Sequence, residues 1–135
     1  MSTFEYRTLL QKAEEARRNA YAPYSHFAVG ACLVAANGAL YTGCNVENAS
    51  SGCTICAERT AVAKAVADGV HSFAAIAVVG AEAGQSGDYC PPCGVCRQVL
   101  AEFCAPSMPV VMQHDGEPLV ISLGELLPHA FHLED

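Results

Sequence analysis

Cysteine carries the chemistry of this chain, because its eight cysteines are not scattered at random. Cys93 and Cys96 form a Cys-x-x-Cys pair behind Pro91-Pro92, and Cys56 opens the segment Cys56-Ala57-Glu58-Arg59. Each group sits where a helix is predicted to start, so backbone N–H groups and the helix dipole favour ionised sulfur. Three converging thiolates can hold one zinc and leave its fourth tetrahedral position open for water, the pattern of a catalytic rather than a structural zinc. In such sites the water pKa falls to roughly 7. Glu58 stands two positions after Cys56. It is badly placed to bind the same ion but well placed to reach the water, which makes it a proton carrier. Three thiolates overcompensate one Zn(II), and the guanidinium of Arg59, donating to the sulfurs, offsets that charge.

A closed metal site is the rival. Cys53-x-x-Cys56 and Cys90-x-x-Cys93 also have ligand spacing, and a four-cysteine site built from them predicts a zinc module without catalysis. It leaves Cys96 spare and Glu58 without a purpose. The stretch between the groups also reads as a full helix and strand, unlike a compact zinc ribbon. Cys32, Cys44 and Cys104 lack ligand spacing and read as small apolar residues.

The elements that position these groups follow from periodicity. Residues 3–20 place Tyr6, Leu9, Leu10, Ala13, Ala16 and Ala20 on one side of a helix, with Glu14, Arg17 and Arg18 on a polar outer face. Residues 28–36 and 39–46 read as strands joined at Asn37-Gly38, a strong hairpin signal. A second helix starts after Thr54, presents Ala57, Ala61, Val62, Ala65 and Val66, and stops at Gly69. The apolar run 73–81 suits a strand buried on both faces. A loop over 82–92 and a helix over 94–103 follow. Strands over 108–113 and 118–121 are too close for a crossover helix and must pair antiparallel. Ser122 and Glu125 form a capping box for a short last helix. The pattern predicts one domain over residues 1–135, a three-layer α/β/α fold with a five-stranded mixed sheet.

Composition narrows the partners. With 14 acidic and 7 Lys+Arg residues the net charge is -7, and no basic cluster offsets it, so a nucleic-acid polymer is excluded as partner. A neutral or cationic small molecule fits better. No segment has the length of a membrane span, and the polar start is unlike a signal peptide, so a cytoplasmic, reducing location is expected.

The motifs Cys-Ala-Glu-Arg-Thr and Pro-Cys-Gly-x-Cys-Arg-Gln resemble those of the zinc-dependent cytidine deaminases. The segments 21–31, 43–49 and 125–131 resemble further motifs of that family, so the likeness spans nearly the whole chain. The resemblance implies a cytidine deaminase-like fold and hydrolytic deamination of cytidine and 2′-deoxycytidine in pyrimidine salvage. It implies one zinc per subunit on Cys56, Cys93 and Cys96, with Glu58 as proton shuttle. It also implies that Phe27 packs on the pyrimidine, that Asn45 and Glu47 bind the ribose hydroxyls, and that the Ala57 N–H meets the base carbonyl. In short-chain members the enzyme is a homotetramer, and Phe131 then lies over the base in a neighbouring subunit's site. From spacing alone, Phe27 reads as core, Asn45 and Glu47 as a solvated strand end, and Phe131 as a packing residue. An enzyme of the same fold acting on a nucleoside antibiotic such as blasticidin S is the nearest alternative.

Overall fold

Side chains alternate between two buried faces along the strands, and that alternation defines the layers. The computed structural model describes residues 1–133. In chain order it contains α1 (Thr3–Arg17), β1 (Phe27–Ala35), β2 (Leu40–Cys44), a 3-10 turn (Ser51–Cys53), α2 (Ala57–Ala67) and β3 (Phe73–Glu82). There follow α3 (Gly94–Phe103), β4 (Pro109–His114), β5 (Glu117–Ser122) and α4 (Leu123–Leu126). The strands lie in the order β2-β1-β3-β4-β5. β1 is antiparallel to both β2 and β3, β3 and β4 are parallel, and β4 and β5 are antiparallel. This is the three-layer mixed-sheet architecture that the periodicity predicts.

On one face, Ala31, Leu33, Ile76, Val78, Val110 and Met112 pack with Ala57, Ala61 and Ala65 of α2 and Leu100 of α3. On the other, Cys32, Val34, Ala75, Ala77, Val79 and Val111 pack with Leu9, Leu10 and Ala13 of α1. β3 is consequently buried along almost its whole length, as a strand with helices on both sides must be. Two glycines permit the close layers. A Cβ at Gly30 would overlap the Ala13 carbonyl oxygen on α1, and one at Gly43 would overlap backbone atoms of Ala57 and Ala61 on α2.

Both hairpins form where they were expected. At the first, the Gly38 N–H donates to the Ala35 carbonyl over 2.9 Å. The second turns on Asp115 and Gly116, both with positive φ, the conformation that matches the twist of adjoining strands. The step from β3 to β4 is parallel, so the chain must cross over between them. α3 is that crossover, and the crossing carries Cys93 and Cys96 to the layer that already holds Cys56.

The first helix differs from its expected course. It ends at Arg17 rather than at residue 20, and the Asn19 and Ala20 N–H groups close a turn onto the Ala16 and Arg17 carbonyls over 3.1 Å each. Arg17 does not lie on an outer face; it is only 6% exposed. It sits over the end of the β1–β3 ladder, where Ala28 pairs with Ala81 and Phe27 with Glu82. The second strand also stops early, at Cys44. Val46 instead forms isolated bridges with Tyr21 and Ile55, which bend the segment towards the start of α2.

Candidate metal centre and active site

The two helix starts bring the predicted ligands together. Cys56 is the N-cap residue of α2 and Cys93 that of α3, and Cys96 lies in the first turn of α3. Their three sulfurs all lie within 4.8 Å of one another. Cys56 Sγ and Cys93 Sγ are 3.7 Å apart. Two sulfurs each about 2.3 Å from a tetrahedral zinc would be separated by about 3.8 Å, so the spacing fits that ion. Among the described residues this trio is the group able to hold a metal. Cys53 is exposed and Cys90 half-buried, and neither belongs to the group, so the closed four-cysteine site does not assemble.

The sulfurs are electrostatically unequal. A hydrogen bond from Cys96, helped by Arg59, pulls the Cys56 thiol down to about 5. The same hydrogen bond, with burial, pushes Cys96 up. One thiolate therefore forms readily while its neighbour keeps its proton. A divalent cation supplies the charge that lets all three ionise. Arg59 Nη2 lies 3.5 Å from Cys56 Sγ and from the Thr54 carbonyl.

Glu58 projects from the first turn of α2. It is 3% exposed, its Oε1 has no hydrogen-bond partner, and burial raises its pKa. A buried carboxylate oxygen without a partner is costly. Its presence beside Cys56 marks a place meant for something the chain itself does not provide. Ala57, fully buried, begins the same helix.

The remaining expected site residues surround the start of β1. Phe27 is 39% exposed. A Cβ on Gly80 would come within 2.9 Å of Phe27 Cε1 and 2.8 Å of Cys90 Sγ, so ring and thiol share the space that Gly80 leaves open. Asn45 is buried, and its amide is fastened to β1. Its Nδ2 donates to the Phe27 carbonyl over 2.8 Å, and its Oδ1 accepts from the Val29 N–H over 2.9 Å. Glu47 accepts from the Tyr24 and Ser25 N–H groups over 3.0 and 3.1 Å and from the Ser25 hydroxyl. The Ser25 hydroxyl, above all, holds its carboxyl below the ordinary carboxylate range.

Phe131 is 66% exposed and is tied to α3 by a two-way bond with Gln98. Gln98 Nε2 donates to its carbonyl over 2.8 Å, and its own N–H donates to Gln98 Oε1 over 3.3 Å. Arg97 strengthens the same junction by donating to the Leu126 and Pro92 carbonyls over 2.7 and 2.8 Å. Sequence reasoning gave Gln98 and Arg97 no role. Their position one and two residues after a ligand was the available signal.

Three sulfurs on two helix N-termini and a sequestered carboxylate, mounted on a mixed five-stranded sheet, define a zinc-dependent hydrolytic deaminase of the nucleobase type. The family description "Cytidine and deoxycytidylate deaminase zinc-binding region" matches residues 4–112. The chain is 50% identical over 128 residues to a cytidine deaminase of Sporosarcina psychrophila, covering 94% of this chain and 91% of that one. It superposes on a 1.6 Å crystal structure of cytidine deaminase from Burkholderia pseudomallei with a TM-score of 0.83 and 49% identity, covering 93% and 98% of the two chains. For the Mycobacterium tuberculosis cytidine deaminase the TM-score is 0.80 and the identity 40%, with 96% and 98% covered. The protein belongs to the zinc-dependent cytidine deaminase family.

Proposed function

We propose that the protein converts cytidine and 2′-deoxycytidine, with water, to uridine and 2′-deoxyuridine plus ammonia. The observation that carries this reading is the buried Glu58 carboxylate, its Oε1 without a partner, beside the three-sulfur cluster. Cys56, Cys93 and Cys96 would hold zinc, whose contribution when bound is to make water a nucleophile near neutral pH. Glu58 takes a proton from the water and passes it to ring N3 as the water oxygen bonds to C4. It then moves the second proton to the exocyclic amine, the C4–N bond breaks, and ammonia leaves. Burial supports this role, because it raises the carboxyl towards the range in which it both accepts and returns a proton.

Phe27 packs on the pyrimidine, and the Ala57 N–H binds its carbonyl oxygen. Asn45 has spare bonding capacity after its two bonds to β1, and Glu47 adds a carboxylate acceptor for the ribose hydroxyls. The negative charge of Glu47 disfavours a phosphate in the same place, so nucleosides are preferred to nucleotides. The exposed Phe131, held at a fixed position by Gln98, caps the base in a neighbouring copy of a homotetramer. The reaction places the enzyme in cytoplasmic pyrimidine salvage.

Ammonia release from cytidine, 2′-deoxycytidine, cytidine monophosphate and a nucleoside antibiotic, with zinc counted per chain, tests the proposal. Turnover of the two nucleosides at about one zinc per chain is expected. Zinc-loaded protein inactive on both nucleosides would overturn it.

A further inference from the structure

Arg17 is a buried cation on the α1 side of the sheet, in the layer opposite α2 and α3. Its surroundings are built to receive it. Nε donates to the Ala28 carbonyl over 2.8 Å. Nη1 donates to Glu14 Oε1 over 2.6 Å and to the Gln85 carbonyl over 2.9 Å. Nη2 donates to the Ala81 and Glu82 carbonyls over 3.0 and 3.3 Å. A guanidinium has five N–H donors, and five acceptors surround this one. The other oxygen of Glu14 accepts from the Gly87 N–H over 2.9 Å. Two glycines make the room. A Cβ at Gly30 would press on Arg17 Cγ at 2.8 Å, and one at Gly87 would overlap the Glu14 carboxylate.

The atoms so gathered are those that lead into the site. Ala28 follows Phe27, and Glu82 is the residue paired with Phe27 across the β1–β3 ladder. From the anchored Gln85 and Gly87 the chain passes to Asp88, which exchanges two backbone hydrogen bonds with Gly80 over 3.0 and 3.2 Å. Beyond it come Cys90, packed with Phe27 over Gly80, the buried Pro92, and the ligand Cys93. We infer that Arg17, held by Glu14, is a positioning residue for the deaminase site. It locks the end of β3 and the segment after it onto β1, and thereby sets both the Phe27 ring and the loop that delivers Cys93.

The part concerning Phe27 rests on the proposed substrate contact, whereas the part concerning Cys93 does not. The test therefore has two readouts on purified, zinc-loaded protein: KM and kcat for cytidine, and the rate of zinc transfer to a chromogenic chelator. Arg17→Lys keeps the charge beside Glu14 but loses the planar fork and two donors. It is expected to raise KM about tenfold with kcat within about threefold, the mark of a lost binding geometry, and to speed zinc transfer about tenfold. Glu14→Gln shifts both readouts in the same direction by less. Leu9→Ala removes buried packing from the same helix without touching these contacts, and should lower the melting temperature while leaving both readouts near wild type. Zinc transfer unchanged in Arg17→Lys, or accelerated as much by Leu9→Ala, would overturn the inference. Should Arg17→Lys fail to fold, Glu14→Gln is judged by the same two criteria. Wild-type protein inactive on cytidine refutes the substrate reading and leaves the zinc-transfer comparison intact.

Discussion

Glu58 provides the sharpest perturbation, because identity and position of its carboxylate can be changed separately. Glu58→Gln keeps the size and removes the ability to carry a proton. Because Oε1 has no partner in the folded chain, the amide breaks no hydrogen bond there, and a neutral group is cheaper to bury at a 3% exposed position. The variant should therefore fold, melt no lower than wild type and keep its zinc. Its turnover should fall by the worth of a general acid–base, about 10²–10⁴-fold, or about 2.7–5.5 kcal/mol of barrier. Glu58→Asp keeps the acid and retracts it by about one C–C bond, about 1.5 Å. Misplacement on the scale of 1 Å can cost about 10²-fold, so Asp should restore little. The assay is the fall in ultraviolet absorbance as cytidine becomes uridine, corrected for zinc content. A zinc-loaded Glu58→Gln protein with wild-type turnover would refute the reasoning. Full activity in Glu58→Asp would show that position does not matter.

Other outcomes follow from other parts of the molecule. Cys96→Ser should abolish stoichiometric zinc and Cys53→Ser should leave it intact, as measured by metal analysis; the reverse would restore the closed site. Gly30→Ala forces α1 off β1 and should cost at least about 1–3 kcal/mol in a urea melt, and an unchanged midpoint would contradict the close packing seen at Ala13. Burial pushes the Cys32 thiol up to about 11 and Cys104 up to about 12, so mass spectrometry after alkylation of zinc-loaded protein at neutral pH should find both unmodified, with exposed Cys53 modified first. Glu47 is held below the ordinary carboxylate range, so its ionised form persists as pH falls through the usual Glu value and is lost only below it. Ser25→Ala removes the main cause, and the acid-side rise in KM should then begin at higher pH.

The metal trio was legible because cysteine at two helix starts is a local pattern, and Glu58 because it stands two positions after a ligand. Both hairpins were legible for the same reason, since Asn37-Gly38 and the short 114–117 segment allow few alternatives. Arg17 was misread because its carbonyl partners lie 11 to 68 positions away, and amphipathic spacing records only which side of a helix is apolar. It cannot register which strand carbonyls the folded chain brings to the helix terminus. The same holds for Asn45, whose amide is taken up by the β1 backbone 16 and 18 positions earlier. Gln98 and Arg97 escaped because they fasten a tail whose course depends on the completed sheet.

The helix caps carry a final consequence. Ser2 and Ser122 each accept a hydrogen bond from the first turn of their helices, whereas Cys56 and Cys93 occupy the same position in α2 and α3 without a capping bond. The chain has placed a sulfur where a helix ordinarily secures its own beginning. Stability at those two ends is thus mortgaged to the ion, and the turn left unsecured in α2 is the one that bears Glu58. Demetallation should loosen Glu58 together with the three cysteines.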